Sequence, residues 1–294
     1  MKNFIFLFLI FIFNFVFGVK QEEVKKVNIG NFALPGSQQP GPLIGFGQNI
    51  VDKGTLILYA YFDCLKGRKE TFAEISPSIL YGITDKLSIF VEQQFAVKLK
   101  VIDPITNIKQ TSRGIEDLLV QFEYAFCTKE TSQKIEQLTV VANATFPTGS
   151  VKKSPPTGLG APSFFLGFTA NHMDVDWYYF TSFGSIMTTS HCNFKAGSSL
   201  LYQFGLSKNL CYKPDSYILN WMIELDGFYT QPDRAAGIIN PNSGGNAILL
   251  GPSLWFSTKR LTLQGGISWV IFQKLYGIQN KDNFYAALNV GWTF

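Results

Sequence analysis

From Thr55 to the end, the chain is built of short runs in which apolar and polar residues alternate. The final stretch, NFYAALNVGWTF, shows it most clearly. Phe284, Ala286, Leu288, Val290, Trp292 and Phe294 fall on one side, and Tyr285, Ala287, Asn289, Gly291 and Thr293 on the other. A period of two gives a strand one apolar face and one polar or small face. Similar runs lie at 55–62, 73–83, 87–97, 117–126, 137–146, 163–170, 177–187, 196–206, 217–229, 247–256 and 261–271, so the pattern predicts twelve strands. Most have the length that a tilted strand needs to cross a bilayer.

The acids decide which face meets lipid. In 117–126, Leu118, Val120, Phe122, Tyr124 and Phe126 share one face, opposite Asp117, Gln121 and Glu123. The runs at 87–97 and 217–229 repeat this with Glu92, Glu224 and Asp226. A charge facing lipid at mid-bilayer would cost roughly 2–4 kcal/mol, so the acid-bearing face belongs inside. The sequence thus predicts an all-β fold: a transmembrane antiparallel up-and-down β-barrel of the outer-membrane type with about twelve strands over 54–294. Glu74, Glu92, Asp117, Glu123, Glu224 and Asp226 are the candidate lumen-lining residues. They either favour cations in a pore, or hydrogen-bond a filled lumen or pair with Lys98 and Lys195. Trp177, Tyr217, Tyr229, Trp269 and Trp292 lie near the run ends, where interfacial aromatic girdles occur.

The gaps agree. Counted from the first run, odd gaps are on average longer than even ones, with loops expected at 98–116, 147–162 and 231–246. Long outer loops and short periplasmic turns produce this parity, whereas a soluble sandwich has no reason for it. Prolines in SPS, APS and GPS (Pro77, Pro162 and Pro252) mark candidate bulges, because proline removes a ladder donor.

The start of the chain differs. Lys2 precedes an apolar run from Phe4 to Phe17, and Val16 and Gly18 fit a cleavage site, which predicts a signal peptide at 1–18. Residues 19–53 are rich in Gly, Pro, Gln and Asn and lack a period; they are expected to form an irregular arm that could plug the barrel. Removing 1–18 takes one lysine and lowers the net charge from +4 to +3, which argues against a nucleic-acid partner.

Candidate chemistry is sparse. Cys64, Cys192, Cys127 and Cys211 allow two topology-compatible disulfides, Cys64–Cys192 and Cys127–Cys211, with separate thiols as the alternative; their spacing fits no zinc motif. The two histidines, His172 and His191, are expected in turns or loops and show no His-x-Ser motif of the outer-membrane phospholipase kind. No catalytic residues, cofactor or metal are expected, and no enzymatic activity.

Two resemblances add to this. Leu288, Val290, Trp292 and Phe294 resemble the C-terminal β-signal of bacterial outer-membrane proteins, which implies recognition by the barrel assembly machinery. The stretch GIEDLLVQFEYAF, then TFPTGS and PTGLGAP, resembles the outer-membrane family associated with the MetA pathway of phenol degradation, akin to fatty-acid-transport barrels. Gly114, Asp117 and Pro147–Gly149 carry that likeness. It implies a transporter or channel for small, often apolar, solutes in the outer membrane of a Gram-negative-type bacterium. The other function class is a structural or surface-interaction barrel with a closed lumen. Packed lumenal aromatics would favour that reading; a continuous polar path would favour transport.

Overall fold

A computed structural model describes residues 27–294; the expected signal peptide and residues 19–26 of the arm lie outside the described residues. The twelve barrel strands are β1 (Leu56–Gly67), β2 (Glu70–Thr84), β3 (Leu87–Ile102), β4 (Lys109–Thr131), β5 (Lys134–Phe146), β6 (Ser163–Asp174), β7 (Trp177–Thr188), β8 (Ser199–Lys213), β9 (Tyr217–Thr230), β10 (Gly245–Thr258), β11 (Leu261–Leu275) and β12 (Asp282–Thr293). Each pairs antiparallel with its chain neighbours, and β1 closes the ring on β12, with Leu58 opposite Trp292 and Ala60 opposite Val290. The Phe294 N–H donates to the Leu56 carbonyl, so the apolar end of the chain is held in the closing seam. Closure removes the sheet edges that lipid cannot solvate.

Alternation sets inside and outside as expected. On β4, Phe122, Tyr124 and Phe126 are exposed while Gln121, Glu123 and Ala125 are buried; on β9, Ile218, Asn220, Met222, Glu224 and Asp226 are buried. Leu58, Ile79, Phe168, Phe204, Leu254 and Leu288 continue the apolar outer belt around the ring. Connections at one end are 85–86, 132–133, 175–176, 214–216 and 259–260. At the other end they are 68–69, 103–108, 147–162, 189–198, 231–244 and 276–281. Over this long-loop end, residues 190–191, 194–195, 234–235 and 238–239 form a small four-stranded sheet. Pro77 and Pro252 each fall in a gap of one pairing ladder, β2 with β3 and β10 with β11 respectively.

Several boundaries move. The first and sixth strands run on to Gly67 and Asp174, and the expected loop at 98–116 shrinks to 103–108 because β3 and β4 extend past the apolar belt as a paired hairpin. Outside the hydrocarbon the backbone ladder persists, but nothing forces the outer face to be apolar, so the alternation fades before the strand ends. For the same reason Cys64, Cys127, Cys211 and His172 lie in strands rather than loops. The four cysteines are free thiols. Cys64 sits on β1 and Cys192 between β7 and β8, on opposite sides of the ring, while β4 and β8, which carry Cys127 and Cys211, lie four strands apart. A disulfide needs Cα atoms within about 7 Å, so neither candidate pair forms.

Candidate functional site: a lumen shared between an arm and a cavity

The segment 27–53 has no strand of its own and finds its hydrogen bonds on the barrel wall. It begins at the short-turn end, where the Val27 N–H donates to the Ser132 carbonyl, and crosses that mouth from strand to strand. Asn31 takes the Val175 carbonyl through its backbone N–H and the Asp174 carbonyl through its side chain, and its own Oδ1 accepts from Asn220 at 2.7 Å. Gln38 donates to the Thr293 hydroxyl and accepts from Thr262, while its carbonyl accepts from Ser257. Both side chains are fully buried.

From Gly41 the arm rises to mid-barrel. There Glu224 accepts the N–H groups of Leu43 (2.6 Å), Ile44 (3.2 Å) and Gly45 (3.4 Å). The Phe46 carbonyl accepts from Thr169 and Ser182, and Asn171 donates to Gln48. The arm then descends. Glu123 receives the backbone and side-chain N–H of Asn49 at 2.9 and 2.8 Å, Ser88 accepts the Val51 N–H, and Asp85 in the β2–β3 turn accepts the Lys53 N–H. A polar arm without a period suits this path, because buried backbone groups must find partners and the wall supplies them one at a time.

Gly47 shows how closely the arm lies. It has φ +82°, and an added Cβ would come within 2.2 Å of Thr169 Oγ1. Gly47→Ala should therefore weaken arm seating by about 2 kcal/mol, since strain and clash act together. A lowered thermal unfolding midpoint or more frequent channel openings would show it; neither change would refute the close approach.

The two halves of the lumen differ. Against β6–β9, Phe32 of the arm packs with Met173, Tyr178, Phe180 and Met222, all buried. The glycines at Gly45 and Gly205 leave room for the Phe180 ring, which a Cβ at either would meet at 2.8 and 2.1 Å. Against β1–β3, Val51 of the arm packs with Ile57, Leu80 and Phe90, but beside this cluster and against β10–β12 the lumen leaves space. A cavity of about 340 Å3 lies there between the arm and Tyr59, Tyr61, Asp63, Glu92, Trp255 and Tyr285. A second, of about 460 Å3, forms a vestibule below the long loops, bordered by Phe228, Asn246, Gln273 and Gln279. Ile44 and Tyr285 line both, so these two side chains stand where the inner cavity abuts the vestibule. The inner cavity's lining continues down to Gly36, exposed at the short-turn end.

The six expected lumenal acids thus have three different settings. Glu123 and Glu224 hold the arm directly, and Asp226 accepts from Gln203, which also accepts the Phe46 N–H. Asp117 holds a loop instead: its carboxylate accepts the N–H groups of Gly149 and Leu159, both at 2.9 Å. That contact gives the Gly114, Asp117 and Pro147–Gly149 motif a structural purpose, the folding of 147–162 back onto β4. Asp117→Ala should speed tryptic cleavage at Lys152 and Lys153 about tenfold, the scale expected when two charge-assisted hydrogen bonds no longer order a loop. An unchanged cleavage rate would refute the clamp. Glu92 faces the open cavity, and Glu74 stands directly opposite Asp63 across β1 and β2.

Asp63, Tyr285, Asn289 and Trp255 were missed from the sequence. Asp63 follows Tyr59 and Tyr61 at the same period of two, a signal obscured once the first run is ended at Phe62. Of the residues expected to form a β-signal, Leu288, Val290 and Trp292 lie in β12 and Phe294 follows it, with Leu288, Trp292 and Phe294 exposed outward. His172 stacks on Tyr179 at 4.5 Å and lies 3.4 Å from Glu136; His191, exposed in the small sheet over the long loops, lies 3.1 Å from Cys192 Sγ. Among the described residues no group of three or more His, Cys, Asp or Glu is placed to hold a metal.

A closed twelve-stranded ring with an apolar belt, a polar interior and loop lengths sorted by end defines a transmembrane β-barrel of the outer-membrane type. A solved structure agrees in fold. An outer membrane channel from Pseudomonas putida F1 superposes with TM-score 0.71 at 14% identity, covering 87% of this chain and 99% of that one. The NanC porin superposes with TM-score 0.49 at 11% identity, covering 81% and 100%. At such identities the likeness speaks for the fold alone. No family model matches the chain, and no curated protein matches it in sequence.

Proposed function

We propose that the protein is an outer-membrane conduit for small solutes, narrowed by its own N-terminal arm, in a Gram-negative-type bacterium. The observation that carries this reading is the cavity beside the arm. It abuts the vestibule under the long loops at Ile44 and Tyr285, and its lining extends to Gly36 at the short-turn mouth. Its walls carry Asp63, Glu92, Gln121, Gln264 and Asn289, which suits polar solutes better than the apolar ones implied by the resemblance to the phenol-degradation family. On this reading the long loops face outward and the arm enters from the periplasm. The signal peptide at 1–18 exports the chain, and the assembly machinery recognises the strand ending at Phe294. The conduit needs no chemistry of its own, so enzymatic activity is not part of the proposal.

The rival reading, a surface barrel with a closed lumen, draws on the aromatic packing against β6–β9 and on the ordered sheet over the long loops, where Ile238 is 74% exposed. Liposome swelling separates the two. Vesicles carrying the chain from Val19 should swell in arabinose faster than protein-free vesicles. A folded, inserted barrel that gives no swelling overturns the conduit.

A further inference from the structure

The geometry points to a binding site for a small organic ammonium ion in the inner cavity, between Asp63 and Glu92. The inference rests on the conduit reading and names the solute class that the conduit selects.

Charge is the first ground. Asp63 and Glu74 are direct cross-strand partners on the lumenal face, and Glu92 lies within electrostatic range of both. Like charges placed opposite each other destabilise a sheet. Among the described residues, none of those lining the cavity is a lysine, arginine or histidine. The hydrogen bonds that reach these carboxylates come from neutral donors, Tyr285 Oη to Asp63 at 2.5 Å and Gln94 Nε2 to Glu92 at 2.9 Å. The repulsion thus has no cationic partner on this wall. The acids do not converge as metal ligands do, so a larger cation suits them better than a bare ion.

Aromatic rings supply the second ground. Tyr59 and Tyr61 stack at 5.5 Å, and Phe90 meets Tyr61 edge-on at 6.2 Å. With Tyr285 these rings line the same cavity as the carboxylates, the combination that binds alkylammonium groups through the ring faces.

The third ground is independent of both. Trp255 and Asn289 are each more than nine-tenths buried and line this cavity, yet Trp255 Nε1 and Asn289 Oδ1 have no hydrogen-bond partner. Buried polar atoms left unpaired are rare and point to an absent partner. One is a donor and the other an acceptor, and both lie behind the cavity wall, out of reach of a water molecule, so a ligand meets them only where the wall yields. The favoured ligand is therefore a small organic ammonium ion.

The test uses choline and its uncharged isostere 3,3-dimethylbutan-1-ol, titrated calorimetrically into the refolded chain from Val19. Choline should bind and the isostere should not, and Asp63→Asn and Glu92→Gln should each weaken choline about tenfold, the scale of one partly screened charge contact. Equal binding of the two probes to the unaltered protein, or no binding of choline, overturns the site, and this comparison does not depend on any variant folding. Arabinose swelling of vesicles carrying the same protein keeps the two readings apart. Swelling without choline binding removes the cation site and leaves the conduit, whereas choline binding without swelling leaves a binding site and removes the conduit.

Discussion

A chain begun at Gly54, without the arm, should insert as a folded barrel and conduct several times more current than the chain from Val19. The ring supports the first half of this expectation: β1 to β12 close on one another through backbone ladders to which the arm contributes no strand. The second half follows from what the arm occupies. Phe32, Ala33, Leu34 and Val51 are buried inside the ring, and Gln38 and Asn31 fill the short-turn mouth. A barrel of eight strands is filled by its own side chains and one of sixteen leaves a channel; twelve strands leave space that here is taken by the arm. Removal also exposes Glu123, Glu224 and Asp226 to the pore, so cation preference should rise with conductance. The measurement is single-channel recording in a planar bilayer, with heat-dependent gel mobility confirming the fold. Unchanged current through a folded barrel would mean that the arm does not limit passage.

Glu224→Ala should unseat the arm without deleting it. The substitution leaves the N–H groups of Leu43, Ile44 and Gly45 facing a wall that no longer accepts them. Unsatisfied buried groups cost about 1–3 kcal/mol each, and part of the loss is returned because Asp226 no longer faces a neighbouring carboxylate. A net effect of about 3 kcal/mol corresponds to more than a hundredfold rise in the unseated population. The expected record is a channel that flickers between a narrow and a wide level, together with faster proteolysis within 41–49. Glu224→Gln keeps an acceptor at the same place and should recover most of the seating. If the alanine variant records the same steady level as the unaltered protein, Glu224 does not hold the arm.

The barrel was legible because lipid imposes one rule on every strand. In 117–126 and 217–229 the acids had to share a face, and they do. What lay beyond the belt was not legible, since the pairing of Glu70 with Val101 and of Lys109 with Ile102 requires no alternation of hydrophobicity. Cys64 and Cys127 were misplaced for that reason. The arm stood apart from the strands because 19–53 is rich in Gly, Pro, Gln and Asn and has no period. Its partners were not legible, because the bonds of Asn31 to Asn220 and of Gln38 to Thr293 join residues 189 and 255 positions apart. The candidate site divides the same way. Glu92 and Glu224 could be assigned to the lumen from alternation, but which of them holds the arm and which faces open space depends on the path of the arm.

The arm's attachments also set how it would respond to force. Its bonds to the wall follow one another in chain order, from Val27 at Ser132, through Asn31, Gln38, Leu43 and Asn49, to Lys53 at Asp85. A pull on the chain ahead of Val27 therefore loads one attachment at a time, as in peeling tape, and never strains the whole set together. Work that would be prohibitive in a single step becomes a staircase of small ones, with Gly54 and β1 holding the far end. A pull applied at the short-turn end would draw the arm out and let it wind back in order, and optical tweezers would record that staircase in both directions.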